Sequence, residues 1–203
     1  MAVVYLDRQH SGKPGRRVGD RGATADLDGD GVAEVHEREA LLTPVYLHHC
    51  EIRLLEYGHA VIPISDGWYS ERHGRVNKYA GTFPKGVPQV YVAAHLNAGG
   101  GNYAAMFYDH RSRRGPELSA RIASELRLVA PELSDVRCIA AKPDNWTRSA
   151  WGTIAGVIQP VSICAEPAFV DTAAHQDLLS SPEGLRSIGY ALADGIHRWA
   201  SSV

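Results

Sequence analysis

The sequence predicts a single α/β domain spanning residues 1–203, built on a largely parallel, twisted sheet flanked by helices. Three observations carry that expectation. Short apolar runs alternate with longer stretches of helical periodicity along the whole chain. The apolar runs are nearly continuous, as strands covered on both faces require. The 203 residues, 44% hydrophobic and 22% charged, suffice for one proper core, and no linker, repeat or compositional break divides them.

Residues 3–7 (VVYLD) read as a buried first strand. Residues 11–25, rich in Gly and Arg, read as a loop, followed by the acidic stretch DLDGDGVAEVHERE at 26–39. A long helix follows, with Leu42, Val45, Tyr46, Leu54 and Leu55 on its apolar face, Pro44 in an early turn and Gly58 beyond its end. HAVIPI (59–64) is a second strand, residues 65–80 a loop leading into a short helix, and PQVYVAAHL (88–96) a central strand with a histidine near its end. A flexible connection at 98–103 leads to the strand AAMFYDH, and residues 115–130 form an amphipathic helix. DVRCIAAK is another strand, PDNWTRSAWGTIAG a polar and aromatic loop with room for one helical turn, and VSICAE (161–166) a buried strand ending in a charge. The closing helix at 181–200 has Ser181 as N-cap and Pro182 in its first position.

A net charge of −2 argues against a chain built to seek polyanions, so no nucleic-acid partner is expected. The one local basic cluster, Arg111, Arg113 and Arg114 beside His110, reads as a solvated turn. Cys50, Cys138 and Cys164 have no metal spacing and an odd count, so no disulfide framework is expected, and Cys50 and Cys164 read as core residues. The first residues lack the pattern of a signal peptide. No apolar run approaches the roughly 20 residues of a membrane span. Synthesis in a cytoplasm, with release by other means for any action outside, is the corresponding expectation.

The acidic stretch matches a calcium-loop pattern in full. Asp26, Asp28 and Asp30 alternate, Gly31 follows, and Glu37 is the twelfth residue. Calcium takes six to eight oxygens, and alternate carboxylates in a tight loop all turn inward. The carbonyl of Val32 would add a ligand, Glu34 would act through water, and Glu37 would bind bidentately. Glu39, two residues on, is a carboxylate that this EF-hand-like loop does not need.

Three strands end at or near an ionisable side chain: His10, His95 and Glu166. Two imidazoles and a carboxylate make a catalytic zinc set with one position open. Each also has a plain alternative: a surface histidine at 10, a satisfied buried histidine at 95, a paired core carboxylate at 166.

The order of motifs resembles the zinc-dependent N-acetylmuramoyl-L-alanine amidases. LDRQHSG, with Asp7, His10 and Gly12, stands where that family has a strand followed by D-P-G-H-G-G; RHGRVN, Arg72 to Asn77, parallels R-x-x-x-A-N. AAHLNA, with His95, Asn97 and Ala98, parallels S-x-H-x-N-A, and AEPAFV supplies Glu166 and Phe169. Arg8 and Gln9 replace the usual Pro-Gly, and the acidic loop is an insertion. The resemblance implies a zinc ligand at the start of the first helix, for which Glu34, Glu37 and Glu39 compete. Glu39 lies 19 residues before Gly58, which fits the family's helix. On one helix Glu37 and Glu39 would diverge by about 200°, so that Glu37 serves calcium and Glu39 zinc, with Glu37 the runner-up.

What the resemblance implies, then, is Zn²⁺ held by His10, Glu39 and His95, Glu166 as the catalytic proton carrier, and Asn97 orienting the site or touching substrate. The substrate would be peptidoglycan, in the setting of a phage-type lysin, with calcium fixing the loop before the first helix. A zinc peptidase or other amidohydrolase on the same scaffold, and a non-catalytic calcium-dependent wall-binding module, are the alternatives.

Overall fold

The computed structural model describes residues 1–10, 22–131, 133 and 135–203. Gly12, and most of the segment expected to loop at 11–25, lie outside the described residues. The elements are β1 (Val3–Arg8), α1 (Glu39–Glu56), β2 (Ala60–Ile64), α2 (Tyr69–Ala80), β3 (Gln89–Ala94), β4 (Ala104–Asp109), α3 (Gly115–Val129), β5 (Val136–Ala141), α4 (Arg148–Ile154), β6 (Val161–Glu166), α5 (Gln176–Ser180) and α6 (Pro182–Ala200). Short 3-10 turns cover Val35–Glu37 and Ala173–His175.

The six strands form one sheet in the order β2-β1-β3-β6-β4-β5. Its first four members run parallel, but β4 pairs antiparallel with β6 and carries β5 with it. The sheet is therefore mixed, mostly parallel. The sequence explains the reversal: the connection from β3 to β4 contains no helix, and a parallel crossover needs a dozen or more residues, usually helical. Pro63 in β2 has no N–H to give a second neighbour, which fits an edge strand.

Alternate side chains of each strand feed two cores. Val4, Leu6, Val90, Val92, Met106 and Ile163 pack with α1, α3, α5 and α6. Val3, Tyr5, Tyr91, Ala93, Phe107 and Cys164 pack with α2 and α4. This period of two is the strand signature, and burial on both faces is why the runs are continuous in apolarity. Helix α6 is capped by Ser181, whose hydroxyl accepts from the Gly184 amide at 3.0 Å. It can lie on α1 because Gly189 has no side chain; a Cβ there would sit 2.3 Å from the Tyr46 carbonyl. The stretch expected to be loop at 143–156 contains the two-turn α4, since Ala150 and Ile154 bury a helical face against the sheet. Among the described residues no helix is long and apolar enough to cross a membrane.

Because β1 leads to β2 on one side and lies beside β3 on the other, the winding reverses between β1 and β3. Such a switch point leaves a crevice at the carboxyl ends of those strands.

Candidate metal centre and active site

His10 follows β1 at that crevice, in a left-handed backbone conformation (φ 65°) that is uncommon for a non-glycine residue. The support lies beneath it. The fully buried Asp7 carboxylate accepts from Arg72 Nη1 at 2.7 Å, from Gln9 Nε2 at 2.6 Å and from the Tyr91 hydroxyl. Arg72, also fully buried, donates to the carbonyls of Gly67 (2.9 Å) and Arg8 (3.1 Å). One guanidinium thus ties the turn that carries His10 to α2 and to the loop after β2. Burial pushes the Asp7 carboxyl up, while the Arg72 charge and the Tyr91 hydrogen bond act against that rise.

Glu39 opens α1, where a carboxylate complements the helix dipole. Glu37 and Glu39 do not share a helix, which corrects the 200° expectation: Glu37 ends a 3-10 turn and Arg38 between them is extended (φ −123°, ψ 104°). The break arises because residues 23–25 pair with 37–39. Ala25 N donates to Glu37 O and Glu39 N to Ala23 O, both at 3.0 Å, around an antiparallel bridge of Thr24 with Arg38. The acidic stretch is the loop between these arms. The two glutamates still part company. Buried Glu37 accepts the amides of Leu27 and Glu34, each at 2.9 Å, reaching back into the acidic loop.

Glu39 Oε1 instead lies 2.9 Å from His10 Nε2 and 2.8 Å from His95 Nδ1, and accepts Leu96 N at 3.0 Å. Its Oε2 accepts Ala23 N at 2.6 Å. Gly22 packs against this carboxylate with φ 65°; a Cβ there would stand 2.5 Å from Oε2 and 3.0 Å from the His10 ring. His95 follows β3. Its amide donates to Ala165 O and its carbonyl accepts the buried Tyr46 hydroxyl, both at 2.9 Å. Burial pushes the Glu39 carboxyl up, but hydrogen bonds and charge from His10 and His95 outweigh it and hold the group far below the usual range.

His10 Nε2 and His95 Nδ1 are 3.1 Å apart. Two imidazole nitrogens and a carboxylate oxygen therefore form a nearly regular triangle. Ligands about 2.0–2.1 Å from zinc in a tetrahedron stand roughly 3.3 Å from one another, so the triangle is only slightly contracted from that shape. The donor set, two imidazole nitrogens and one carboxylate oxygen converging in a largely buried spot, is chemistry suited to Zn²⁺.

Glu166 ends β6, with Ala105 of β4 as its register partner. Burial pushes its carboxyl up to about 7; His95 opposes the rise and Glu39 adds to it. The group is thus poised to take and return a proton near neutral pH. Asn97 is half-buried, with its Oδ1 on Ala98 N at 2.8 Å. Its backbone stitches two loops beside the site, donating to Ala168 O at 2.8 Å and accepting Val170 N at 2.9 Å.

The acidic loop brings carboxylate oxygens of Asp26, Asp28 and Asp30 within 4.8 Å of one another, all three residues exposed. Asp26 accepts the amides of Gly29 and Gly31, Asp28 that of Asp30, and Asp30 that of Val32. Val32 itself is 53% exposed.

The architecture matches solved structures over nearly the whole chain. Cwp6 from Clostridium difficile superposes with a TM-score of 0.75 at 19% identity, covering 97% of this chain and 29% of that one. For N-acetylmuramoyl-L-alanine amidase AmiC2 of Nostoc punctiforme the TM-score is 0.72 at 16% identity, over 98% and 97% of the two chains. The catalytic domain of CD27L endolysin targeting Clostridia Difficile gives 0.54 at 18%, over 95% and 97%.

The chain has the fold of N-acetylmuramoyl-L-alanine amidases. No family model matches it, and no curated protein matches its sequence. On this amidase fold the His10, Glu39 and His95 cluster forms a possible zinc site.

Several supporting groups escaped the sequence reading. Asp7 and Arg72 were visible as motif positions, but not as partners. Tyr46 looked like one more apolar-face residue, although a tyrosine in such a stripe needs a hydroxyl partner. Gly22 and the Ala23 amide gave no signal, since their role depends on a contact with Glu39.

Proposed function

We propose that the protein hydrolyses the amide bond between N-acetylmuramic acid and L-alanine in peptidoglycan, with Zn²⁺ held by His10, Glu39 and His95. The observation that carries this reading is the convergence of those three donors at the switch point of an amidase fold, with Glu166 at the end of the next strand but one from β1. When bound, zinc polarises a carbonyl and lowers the pKa of water toward about 7. Glu166 accepts a proton from the attacking water on its carboxylate and returns it to the leaving amide nitrogen as the C–N bond breaks. Asn97 orients the neighbouring loops and meets the substrate. The Asp7–Arg72 pair holds the His10 turn still while this happens. The test is metal analysis together with peptidoglycan digestion by the wild type and Glu166→Ala. Release of stem peptides with new L-alanine amino termini by the wild type alone is expected; a fully active Glu166→Ala, or no cleavage by zinc-containing wild type, rules the mechanism out.

A second part of the proposal concerns the acidic loop. Calcium bound by Asp26, Asp28, Asp30, the Val32 carbonyl and Glu37 would rigidify the loop whose two arms pair beside Glu39. A chelator selective for calcium over zinc should then lower both melting temperature and activity; no change in either disposes of the idea. The setting we propose is a lysin acting on the wall after release from the cell that makes it, a reading that purified protein added to intact cells and to isolated walls would test: lysis of walls but not of protected cells is expected.

A further inference from the structure

β6 runs from Val161 to Glu166, five steps or roughly 16 Å along an extended strand. What borders its first residues is therefore remote from the metal cluster. There a cavity of about 570 Å³ opens between the turn after β4 and the loop before β6. Both walls are braced. Arg111 grips Asp109 through Nε at 2.9 Å and donates from Nη2 to the Ala155 carbonyl at 3.0 Å. On the other side Asn77 of α2 donates to the Gly156 carbonyl at 2.8 Å and accepts the Ile158 amide at 2.9 Å.

The charge balance of the cavity is uneven. Asp109 cancels Arg111. Arg113 and Arg114 line the same cavity, are exposed, and form no ion pair with a described residue. Helix α3 starts at Gly115, directly after them, and its first turn adds partial positive charge at this end. The acid of that turn, Glu117, faces Arg121 at 3.8 Å. Ser112 and Gln159 offer hydrogen bonds, and Ile158, 81% exposed, offers an apolar edge.

We propose that this cavity binds a phosphate-bearing ligand. Two uncompensated guanidinium groups match the charge of a phosphate monoester, about −1.5 to −2 at pH 7, and their planar forks suit its oxygens. A carboxylate would leave one cation unanswered. The cavity exceeds the size of one phosphate, so a sugar or polyol attached to it has room beside Ile158. The turn expected to be merely solvated becomes a site because the fold brings the loop at 155–160 against it. A ligand there leaves the metal cluster open, so the inference does not depend on the proposed amide hydrolysis.

The test is calorimetric titration of the metal-loaded full chain with inorganic phosphate, glucose 6-phosphate and dimethyl phosphate, with acetate as comparison. The variants are the double substitution Arg113→Ala/Arg114→Ala and the control Arg121→Ala. Loss of two charge-assisted contacts should weaken phosphate binding at least about tenfold in the double variant, leave Arg121→Ala like the wild type, and leave all melting temperatures equal. Tighter glucose 6-phosphate than inorganic phosphate identifies a sugar or polyol monoester as the source; dimethyl phosphate, with a single charge, should bind more weakly than either, and tighter binding of it overturns the charge match. The proposal is overturned by the absence of saturable phosphate binding, by acetate binding as tightly as phosphate, or by binding that persists in the double variant, which would belong to the metal centre.

Discussion

Arg72→Met tests whether the buried ion pair beneath the first strand holds the metal centre together. In the native chain the Arg72 and Asp7 side chains are both fully buried and 2.7 Å apart. Methionine fills most of the same volume but leaves the Asp7 carboxylate, among the described residues, with Gln9 and Tyr91 as side-chain donors, and takes the donor from the carbonyls of Gly67 and Arg8. Breaking a buried pair by removing one partner costs about 3–5 kcal/mol. For a domain of this size each kcal/mol moves the melting temperature by about 2–4 °C, so the variant should melt roughly 6–20 °C lower. Since the Arg8 carbonyl belongs to the turn that presents His10, zinc affinity should also fall, by about 10–100-fold, as for the loss of other groups that orient metal ligands. The double variant Asp7→Leu/Arg72→Met removes both charges and should regain much of the stability without regaining zinc affinity. Calorimetric melting and competition with a chromogenic chelator read the two effects. An Arg72→Met protein that melts within about 2 °C of the wild type and binds zinc unchanged would refute the reasoning.

Glu166→Gln should keep its zinc, by metal analysis, while turnover on peptidoglycan falls about 10²–10⁴-fold, the usual worth of a positioned proton carrier. The pH profile follows from the raised Glu166 pKa, about 7: a base works when ionised, so activity falls as pH drops through that value, and a bound cation nearby draws the limb below 7. That acidic limb should vanish from the residual activity of Glu166→Gln; a limb that persists assigns it to another group. Gly22→Ala places a methyl against the Glu39 carboxylate in a backbone region that disfavours it, so zinc retention during dialysis should drop; full retention would show that the contact is slack. Tyr46→Phe removes the hydroxyl from the His95 carbonyl and should cost about 1–3 kcal/mol through the acceptor left unsatisfied, measured by urea unfolding; an unchanged midpoint counts against it.

How much of this was legible beforehand depended on the range of the interaction involved. The strands were readable because burial on both faces writes apolarity residue by residue, and α6 because Ser181, Pro182 and the apolar stripe are local signals. The direction of β4 was not, since it is set by β6, which enters the sheet more than fifty residues later. The same division holds at the site. His10, His95 and Glu166 stood out as ionisable groups at strand ends, and the fold places the first two at the switch point. The geometry of Glu37 and Glu39 was read from a helix that does not extend that far; the pairing of residues 23–25 with 37–39 is a contact no periodicity announces.

That pairing also explains why Glu39 can tolerate its position. A carboxylate this buried would ordinarily be neutralised, yet it is surrounded by four donors from three separate parts of the chain: His10 after β1, Ala23 from the arm of the acidic loop, and His95 and Leu96 after β3. The backbone amides of Ala23 and Leu96 cannot titrate, so they hold the two carboxylate oxygens in place at any pH. A metal held by the two imidazole nitrogens would meet a carboxylate oxygen already in position. The acidic loop therefore sits next to the metal cluster for a structural reason: one of its arms supplies an amide to the same glutamate. Whatever orders that loop orders Ala23, and through Ala23 the orientation of Glu39.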